Sequence, residues 1–146
     1  MRNAWLGRKP LARLGKRGEH LLGRRRQIIE RDDAALEASE IPVRVLNHYG
    51  DEHSSSGHLY LVRLLGKTLE QRNEVINRMA ERGIACNVHY KPLPMMTAYK
   101  NLGFDINDYP NAYNQFVNEI TLPLHTKLTD EDIDYVISNF VDIISK

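Results

Sequence analysis

The clearest constraint on the fold is an apolar stripe close to the end of the sequence. Thr129 is a favourable N-cap residue, and the acidic residues 130–132 complement the positive end of a helix dipole. The apolar residues that follow recur at i, i+3 and i+4 intervals: Ile133, Val136, Ile137, Phe140, Val141 and Ile144. A helix with such a one-sided pattern buries its stripe against another element, so the rest of the chain must supply a packing partner.

The middle of the sequence contains segments that can act as this partner. Residues 43–47 and 58–65 are predicted to be strands, because they are rich in β-branched or aromatic residues and are bounded by turn-forming residues. Thr68 and Gln71 predict a capping box at the start of a helix, and Gly83 predicts its left-handed end.

Further elements are predicted on both sides of this region. Apolar pairs recur every seven residues from Leu21 and predict a long linking helix that ends before Pro42. The later elements are predicted as a strand at 84–88, a short helix at 95–102, a helical segment at 109–120 and an extended segment at 120–125.

This order of elements predicts an α+β fold. The expected architecture is a small, mostly antiparallel sheet with helices packed on one face, preceded by the long linking helix. A length of 146 residues suits about one domain, which we place at residues 21–146. Residues 1–20 are expected to form a weakly ordered basic arm, because they combine three glycines and a proline with poorly spaced apolar residues.

The charge of the chain is unevenly distributed, although its formal net value is only +1. Residues 1–26 contain nine Lys or Arg and one acidic residue, whereas the rest contains eleven basic and eighteen acidic residues. A basic segment of this kind can bind an acidic partner or nucleic acid, or it can be a segment without a packing partner. Nucleic acid is the less favoured partner, because Trp5 is the one aromatic residue of the arm that could stack on a base.

The sequence also bears on the compartment. No apolar run approaches the roughly 18 residues that span a bilayer, and the basic start is not followed by the pattern of a signal peptide. Cys86 is the single cysteine, so no internal disulfide can form and a reducing compartment is the simplest interpretation. We therefore expect a cytoplasmic protein without membrane contact.

No self-contained catalytic site can be read from the sequence. His48, His53 and His58 recur at five-residue intervals, but no carboxylate or cysteine completes a recognisable metal-site spacing. Cys86 is interpreted as a buried structural cysteine and not as a nucleophile paired with His89, because strand residues three apart point to opposite faces. The sequence therefore predicts neither catalytic residues nor a metal site.

Two acid-rich stretches invite a carboxylate mechanism, ERDDAALE at 30–37 and LTDEDID at 128–134. Both are interpreted as solvated helix faces or as partners of a helix dipole. An acid and base pair would need one carboxylate to be buried, and the pattern gives no indication of that. Glycine-rich phosphate loops and serine nucleophile motifs are absent from the sequence as well.

The best candidate for a ligand contact is the proline-rich loop NVHYKPLPMM at residues 87–96. His89, Tyr90 and Lys91 follow a predicted strand, and the two prolines restrict the backbone that presents them. An imidazole, a phenol and an ammonium group together suit a phosphate or a sugar hydroxyl. The alternative is a stiffened connection in which Tyr90 packs against one of the two methionines of the loop.

At these residues the sequence resembles a known family. The stretches that carry the resemblance are SSGHLYLVRL, LEQRNEVINRMAERGIACNVHYKPLPMMTAYKNLGF and YPNAYNQFVNEITLPLHTKLTDEDIDYVI. Residues 21–146 resemble the C-terminal small domain of the DegT/DnrJ/StrS-type sugar aminotransferases, which use pyridoxal phosphate (PLP). The shared pattern is G-I-x-x-x-V-H-Y-x-P-L, then an aromatic followed by L-G, then L-P-L-H before a T-D-E helix start.

The resemblance implies roles for particular residues. His89 and Tyr90 match the V-H-Y segment, which in the family lies at a domain interface and faces the nucleotide-sugar pocket. Lys91 completes the expected substrate-binding set, although its position varies more in the family. The family's Schiff-base lysine lies in its large N-terminal domain, so no cofactor-binding residue is expected in this chain. Asp32 departs from the family pattern, because an aromatic residue is usual at that position.

From this resemblance we expect a fragment of a PLP-dependent aminotransferase that acts on nucleotide-linked keto-sugars in cell-surface polysaccharide or amino-sugar biosynthesis. The fragment would contribute substrate-facing loop residues but not the cofactor site, and it would be inactive alone. A large-domain chain could complete the enzyme in trans. Further copies of this chain are also expected partners, because a small domain without its large domain exposes an apolar patch.

The competing interpretation is a stand-alone interaction module. Its basic arm would bind an acidic partner or nucleic acid, and that binding would weaken steeply with salt.

Overall fold

The computed structural model describes residues 15–146 of the chain. It contains five α-helices and three strands among these residues, with two short 3₁₀ turns at Leu93–Met95 and Ile106–Asp108. The bounds are α1 Gly15–Ala38, β1 Val43–Val45, β2 Tyr60–Leu64, α2 Leu69–Glu81, α3 Thr97–Lys100, α4 Pro110–Asn118, β3 Glu119–Leu122 and α5 Asp130–Ile144. None of these helices is long and apolar enough to cross a membrane.

The linking helix starts earlier than the sequence pattern suggested. Helix α1 begins at Gly15, so residues 15–20 of the predicted basic arm are helical. Residues 1–14 of that predicted arm lie outside the described residues. The end of the helix at Ala38, before Pro42, agrees with the prediction.

The three strands form an antiparallel sheet in the order β1-β2-β3. Tyr60 pairs with Leu122 and Val62 with Ile120, so β2 is the central strand and β3 one of its two neighbours. Strand β3 follows α4 without an intervening residue. This mixed arrangement of helices around a small antiparallel sheet confirms the predicted α+β fold.

One hydrophobic core joins the sheet to three of the helices. Buried residues of alternating strand positions meet apolar side chains of α1, α2 and α5, and the largest contributors include Ile29, Tyr60, Val62, Met79, Ile120, Leu122 and Phe140. Side chains alternate between the two faces of a strand. The other two residues of β3, Glu119 and Thr121, therefore lie on the opposite face of the sheet, where the site described below is built.

Both predicted helix starts have the expected caps. The Thr68 hydroxyl accepts from the Gln71 backbone and the Gln71 side chain accepts from the Thr68 backbone. The same reciprocal bonds join Thr129 and Asp132 at the start of α5. Gly83 follows α2 with a positive φ of 74°, the conformation that glycine adopts without strain.

Two predicted segments differ from the structure. Residues 84–88 form a single β-bridge, between Asn87 and Thr121, and not a strand, because that is the one place where their backbone pairs with β3. The helical segment predicted at 109–120 ends at Asn118, and Glu119 is instead the first residue of β3.

The structure bears out a packed position for Cys86, where burial raises the pKa of the thiol to about 11.

The acid-rich stretch of α1 is not a uniformly solvated face. Asp32 is only 3% exposed, and its Oδ1 atom has no hydrogen-bond partner among residues 15–146. Burial raises the pKa of Asp32 to about 7, and the neighbouring Asp33 adds to the effect. The prediction of solvated carboxylates was wrong at this position, because Asp32 lies three residues after Ile29 and four before Leu36, on the buried face of the helix.

The acidic start of α5 is solvated as predicted, but it also binds α1. Arg24 bonds Asp130 at 2.8 Å, and both ends of the Arg31 guanidinium reach Asp134, at 2.7 and 2.6 Å. Arg24 also donates to the carbonyl of Leu128 at 2.7 Å. These contacts seat the linking helix on α5 in addition to the apolar core.

Candidate functional site

The loop with the predicted ligand-binding residues lies beside β3. The backbones of Asn87 and Thr121 exchange two hydrogen bonds, of 3.1 and 2.8 Å, and this bridge holds the start of the loop against the strand. His89 follows and is half-buried, whereas Tyr90 is 68% exposed and Lys91 is exposed. The bond between His89 and Tyr90 is a cis peptide.

His89 is held at two points by residues of β3. Its backbone N–H donates to Oε2 of Glu119 at 3.0 Å. Its ring Nδ1 lies 2.8 Å from the hydroxyl oxygen of Thr121, and that hydroxyl donates to Oε1 of Glu119 at 2.7 Å. One carboxylate therefore anchors both the backbone and, through Thr121, the imidazole of His89.

Glu119 is an unusual residue to find in this position, since it is 1% exposed. Burial raises the pKa of its carboxyl, and this is opposed by the hydrogen bonds from Thr121 and His89 and by the charge of Arg72. Arg72 is itself buried on α2, and its guanidinium donates to the Glu119 carbonyl at 2.8 Å. Burial in turn lowers the pKa of Arg72, and the charge of Glu119 opposes that shift. The polar groups of this pair are thus matched to one another inside the fold.

Tyr90 packs against its neighbour in the loop. The rings of His89 and Tyr90 meet edge to face, with centroids 4.6 Å apart and planes at 88°. This is a favourable aromatic geometry. The high exposure of Tyr90 leaves its phenol accessible from solvent, and Lys91 is likewise exposed beside it.

A small cleft borders His89 on the side of β3. Its volume is about 190 Å³. Its polar lining comes from His58, Asn87, His89 and Thr121. This volume is below the range of roughly 300–1,000 Å³ that is usual for complete ligand pockets, so the cleft suits part of a ligand.

The other end of the loop borders an apolar groove. The two prolines lead into the 3₁₀ turn at Leu93–Met95, where the N–H of Met96 donates to the Leu93 carbonyl at 2.9 Å. We call the adjoining depression the loop groove; it has a volume of about 270 Å³. It is lined by Pro92, Leu93, Pro94, Tyr99, Phe104, Tyr109 and Ala112.

The three histidines considered as metal ligands occupy separate environments. His48 is buried and stacks on Tyr60 with centroids 6.0 Å apart, and burial lowers its pKa. His53 lies in a turn, where its Nε2 is 3.2 Å from the Asn47 carbonyl. His58 borders the cleft at His89. Within residues 15–146 no three His, Cys, Asp or Glu side chains form a group that could hold a metal ion.

Sequence reasoning missed the residues that support His89. Glu119 was assigned to the end of a helix, and Thr121 and Arg72 were given no role. A signal was present in the segment EITL, because polar residues two apart with apolar residues between them mark one face of a strand.

The chain is similar in structure to Spr1654 of Streptococcus pneumoniae, which is assigned as a sugar aminotransferase. The apo form of that protein matches with a TM-score of 0.84 and 50% identity, over 88% of this chain and 32% of that chain. Its PLP form matches with a TM-score of 0.82 and 51% identity, over 86% of this chain and 31% of that chain. The structure of a third form of that protein, which contains PMP, the amine form of the cofactor, is also solved. Aminotransferases of this kind are therefore PLP-dependent.

Curated proteins give the same result in sequence. The chain is 30% identical over 132 residues to the spore coat polysaccharide biosynthesis protein SpsC of Bacillus subtilis, a match that covers 88% of this chain and 33% of SpsC. It is 29% identical over 137 residues to the UDP-4-amino-4,6-dideoxy-N-acetyl-beta-L-altrosamine transaminase of Campylobacter jejuni, covering 90% of this chain and 34% of that enzyme. The chain thus spans about a third of the length of the relatives that it matches.

The described residues do not fit an anchoring site for PLP. A lysine that forms a Schiff base with a cofactor needs a desolvated position in a pocket. The lysines within residues 15–146 are exposed, apart from the half-buried Lys67, and none of them borders the cleft at His89. This part of the chain therefore offers no lysine that fits the anchor for the cofactor.

A family model covers nearly the whole chain. It is described as the DegT/DnrJ/EryC1/StrS aminotransferase family and matches residues 3–141. The matched region includes most of the segment predicted as a basic arm, together with the sheet, the loop at His89 and most of α5. The chain therefore belongs to the DegT/DnrJ/EryC1/StrS aminotransferase family.

Proposed function

We propose that this chain forms the substrate-facing part of a PLP-dependent aminotransferase that acts on nucleotide-linked keto-sugars. The observation that carries the proposal is the loop at residues 89–91, where an anchored imidazole stands beside an exposed phenol and an exposed ammonium group. In a member of this family such groups are suited to a sugar nucleotide. The Campylobacter relative is named for a UDP-linked amino sugar, which supports this class of substrate.

The three side chains would bind different parts of the substrate. Lys91 carries a full positive charge at an exposed position and suits the diphosphate. Tyr90 can donate or accept at a sugar hydroxyl, and its ring is held in place by the His89 contact. His89 borders the small cleft, which suits a group of the sugar. The cofactor chemistry belongs, in this proposal, to the remainder of the enzyme, since these residues offer no anchor for PLP.

A chimeric enzyme tests these contacts. In it, the chain replaces the matching third of Spr1654, the pneumococcal relative at 50% identity. The assay follows transfer of the amino group from glutamate to a UDP-linked keto-sugar. We expect His89→Gln, Tyr90→Phe and Lys91→Ala each to raise KM for the sugar nucleotide about tenfold, a loss of about 1.4 kcal/mol of binding. The glutamate half of the reaction should stay near its original rate, because it does not involve the sugar.

Matched substitutions elsewhere serve as controls for the chimera. His53→Gln, Tyr113→Phe and Lys100→Ala change the same residue types at exposed positions outside the loop, and they should leave KM unchanged. Equal effects of the loop and control variants would contradict a substrate role for residues 89–91.

We further propose that the chain has no aminotransferase activity alone. The test supplies the purified chain with PLP, glutamate and a UDP-linked keto-sugar, and measures the amino sugar by mass spectrometry. Product above the level of a protein-free sample would overturn this part of the proposal. Activity that appears only when a family member's large domain is added in trans would support a split arrangement.

Self-association is part of the same proposal. Leu93 and Phe104, which line the loop groove, are exposed apolar side chains, and Leu102 is 74% exposed. Such surface is covered in most stable proteins, so we expect dimers or larger oligomers of the chain. A light-scattering mass equal to the monomer value of 16.9 kDa across a wide concentration range would contradict this.

The lone Cys86, without a disulfide partner, supports a cytoplasmic location.

A further inference from the structure

The imidazole of His89 is held at one nitrogen by a chain of hydrogen bonds that ends on a buried carboxylate. The chain runs from Nδ1 of His89 to the hydroxyl of Thr121 over 2.8 Å, and from that hydroxyl to Oε1 of Glu119 over 2.7 Å. All three side chains are at least half-buried, so water does not replace these partners freely.

The direction of each bond follows from the groups that take part. An ionised carboxylate accepts hydrogen bonds and cannot donate them, so the one proton of the Thr121 hydroxyl points toward Glu119. The oxygen of Thr121 is then left as an acceptor toward His89. Nδ1 of His89 must therefore carry a hydrogen, because two acceptors facing each other at 2.8 Å would repel.

The second oxygen of Glu119 also accepts a hydrogen bond from His89. Oε2 accepts the backbone N–H of His89 at 3.0 Å, so both carboxylate oxygens are used as acceptors. Burial raises the pKa of the Glu119 carboxyl, and the hydrogen bonds from Thr121 and the His89 backbone, together with the charge of Arg72, oppose that rise by favouring the ionised form. Nε2 of His89, in contrast, has no hydrogen-bond partner within the described part of the chain, and in the neutral ring it carries a lone pair.

We propose that Glu119 and Thr121 are positioning residues that fix His89 as the Nδ1–H tautomer, so that Nε2 is presented to a ligand as a hydrogen-bond acceptor. A free histidine side chain favours the other tautomer, with the hydrogen on Nε2. The arrangement therefore selects against the ring's own preference and predicts a ligand group that donates, such as a sugar hydroxyl. The identity of that ligand rests on the proposed function, whereas the tautomer does not.

Nuclear magnetic resonance of the full 146-residue chain, labelled with ¹⁵N in histidine, measures the tautomer directly. Long-range ¹H–¹⁵N correlations in alkaline buffer distinguish a protonated from an unprotonated ring nitrogen, and His89→Gln identifies the signals of His89. We expect protonated Nδ1 and unprotonated Nε2. The opposite pattern for His89 in the wild-type chain would overturn the proposal.

Variants separate positioning from a merely structural role. Thr121→Val removes the acceptor and should return His89 to the Nε2–H form, whereas Thr121→Ser keeps the hydroxyl and should keep Nδ1–H. Glu119→Gln is expected to reverse the direction of these hydrogen bonds. The amide oxygen accepts from the His89 backbone, the amide NH₂ donates to Thr121, and Thr121 then donates to Nδ1. An Nδ1–H tautomer that survives in folded Thr121→Val would contradict the proposal. Should that variant not fold, the wild-type and Thr121→Ser spectra still decide the question.

The two proposals fail separately. The tautomer is measured without substrate, so an Nε2–H ring in the wild type overturns this inference and leaves the substrate contacts of residues 89–91 standing. An unchanged KM for His89→Gln in the chimera contradicts the substrate contact of His89 and leaves the tautomer standing.

Discussion

The hydroxyl of Tyr60 on β2 donates a 2.6 Å hydrogen bond to Oδ1 of Asp33 on α1. Both residues are shielded from solvent to a large extent, Tyr60 completely and Asp33 in part. The bond ties the linking helix to the central strand of the sheet.

The Tyr60–Asp33 bond should contribute measurably to stability. A hydrogen bond to a charged group contributes roughly 1.5–3 kcal/mol, so we expect Tyr60→Phe to lower the free energy of unfolding by about 2 kcal/mol at neutral pH. Burial raises the pKa of Asp33 and the Tyr60 hydroxyl opposes that shift by stabilising the ionised carboxylate. The cost of Tyr60→Phe should therefore shrink in acid, where Asp33 is protonated. Urea unfolding at neutral and acidic pH measures this, and a cost in an Asp33→Ala background equal to that in the wild type would contradict the coupling.

Asp32 should make the protein less stable as the pH rises. Its pKa is raised from 3.8 to about 7 in the folded chain, so the folded state binds the proton more tightly than the unfolded state does. Stability from this group is complete below the unfolded pKa and is lost as the pH rises through the folded pKa. The difference corresponds to at most about 4 kcal/mol.

Removing the charge of Asp32 tests this directly. We expect Asp32→Asn to be more stable than the wild type above pH 7 and nearly equal to it in acid, below the unfolded pKa of 3.8. Chemical unfolding across this pH range provides the measurement. Asp51→Asn, in an exposed turn, is the control and should show no such trend. A constant difference between Asp32→Asn and wild type at all pH values would be inconsistent with the buried carboxyl.

Arg72 should be needed for the position of β3. Replacement by Met keeps much of the volume but leaves the Glu119 carbonyl without its buried donor, and it removes the positive charge near the Glu119 carboxylate. We expect a loss of about 2–3 kcal/mol in unfolding free energy. Arg31→Met is the matched control, because Arg31 lies on the surface, where solvent screens its pairs with acids and they should contribute little. Comparable losses for the two variants would count against the role of Arg72.

The N-cap of α5 should contribute as caps usually do. Thr129→Ala removes the acceptor for the Asp132 N–H and should cost about 1 kcal/mol. Thr129→Ser retains the hydroxyl and is expected to recover most of that loss. Thermal unfolding of the three proteins checks the prediction, and identical midpoints for Ala and Ser would refute it.

The parts of the fold that could be predicted from the sequence are those that depend on neighbours along the chain. Thr68 with Gln71, Thr129 and Gly83 act within one turn of a helix, and the structure has each of them in its predicted place. The loop at residues 89–91 could be located in the same way, since it combines proline spacing with polar residues after an extended segment.

The support of the site could not be read in this way, because it depends on packing between distant elements. Asp32 is buried with Ile29 and Leu36 on the face of α1 that packs into the core, although its own stretch is acidic. Glu119 lies 47 residues from Arg72 and 30 from His89, so no local pattern links it to either partner. The same holds for residues 84–88, whose strand character depends on how much of their length pairs with β3.

The direct junction of α4 and β3 limits how the sequence can change in length. Because no residue separates Asn118 from Glu119, the helix sets the register in which β3 enters the sheet. An insertion or deletion of one residue here would turn Glu119 and Thr121 to the core face and place Ile120 and Leu122 on the face that supports His89. Length variation among relatives should therefore be absent from residues 110–122 and collect in the long connection between β1 and β2, so that a comparison of gap positions alone would mark where His89 is supported.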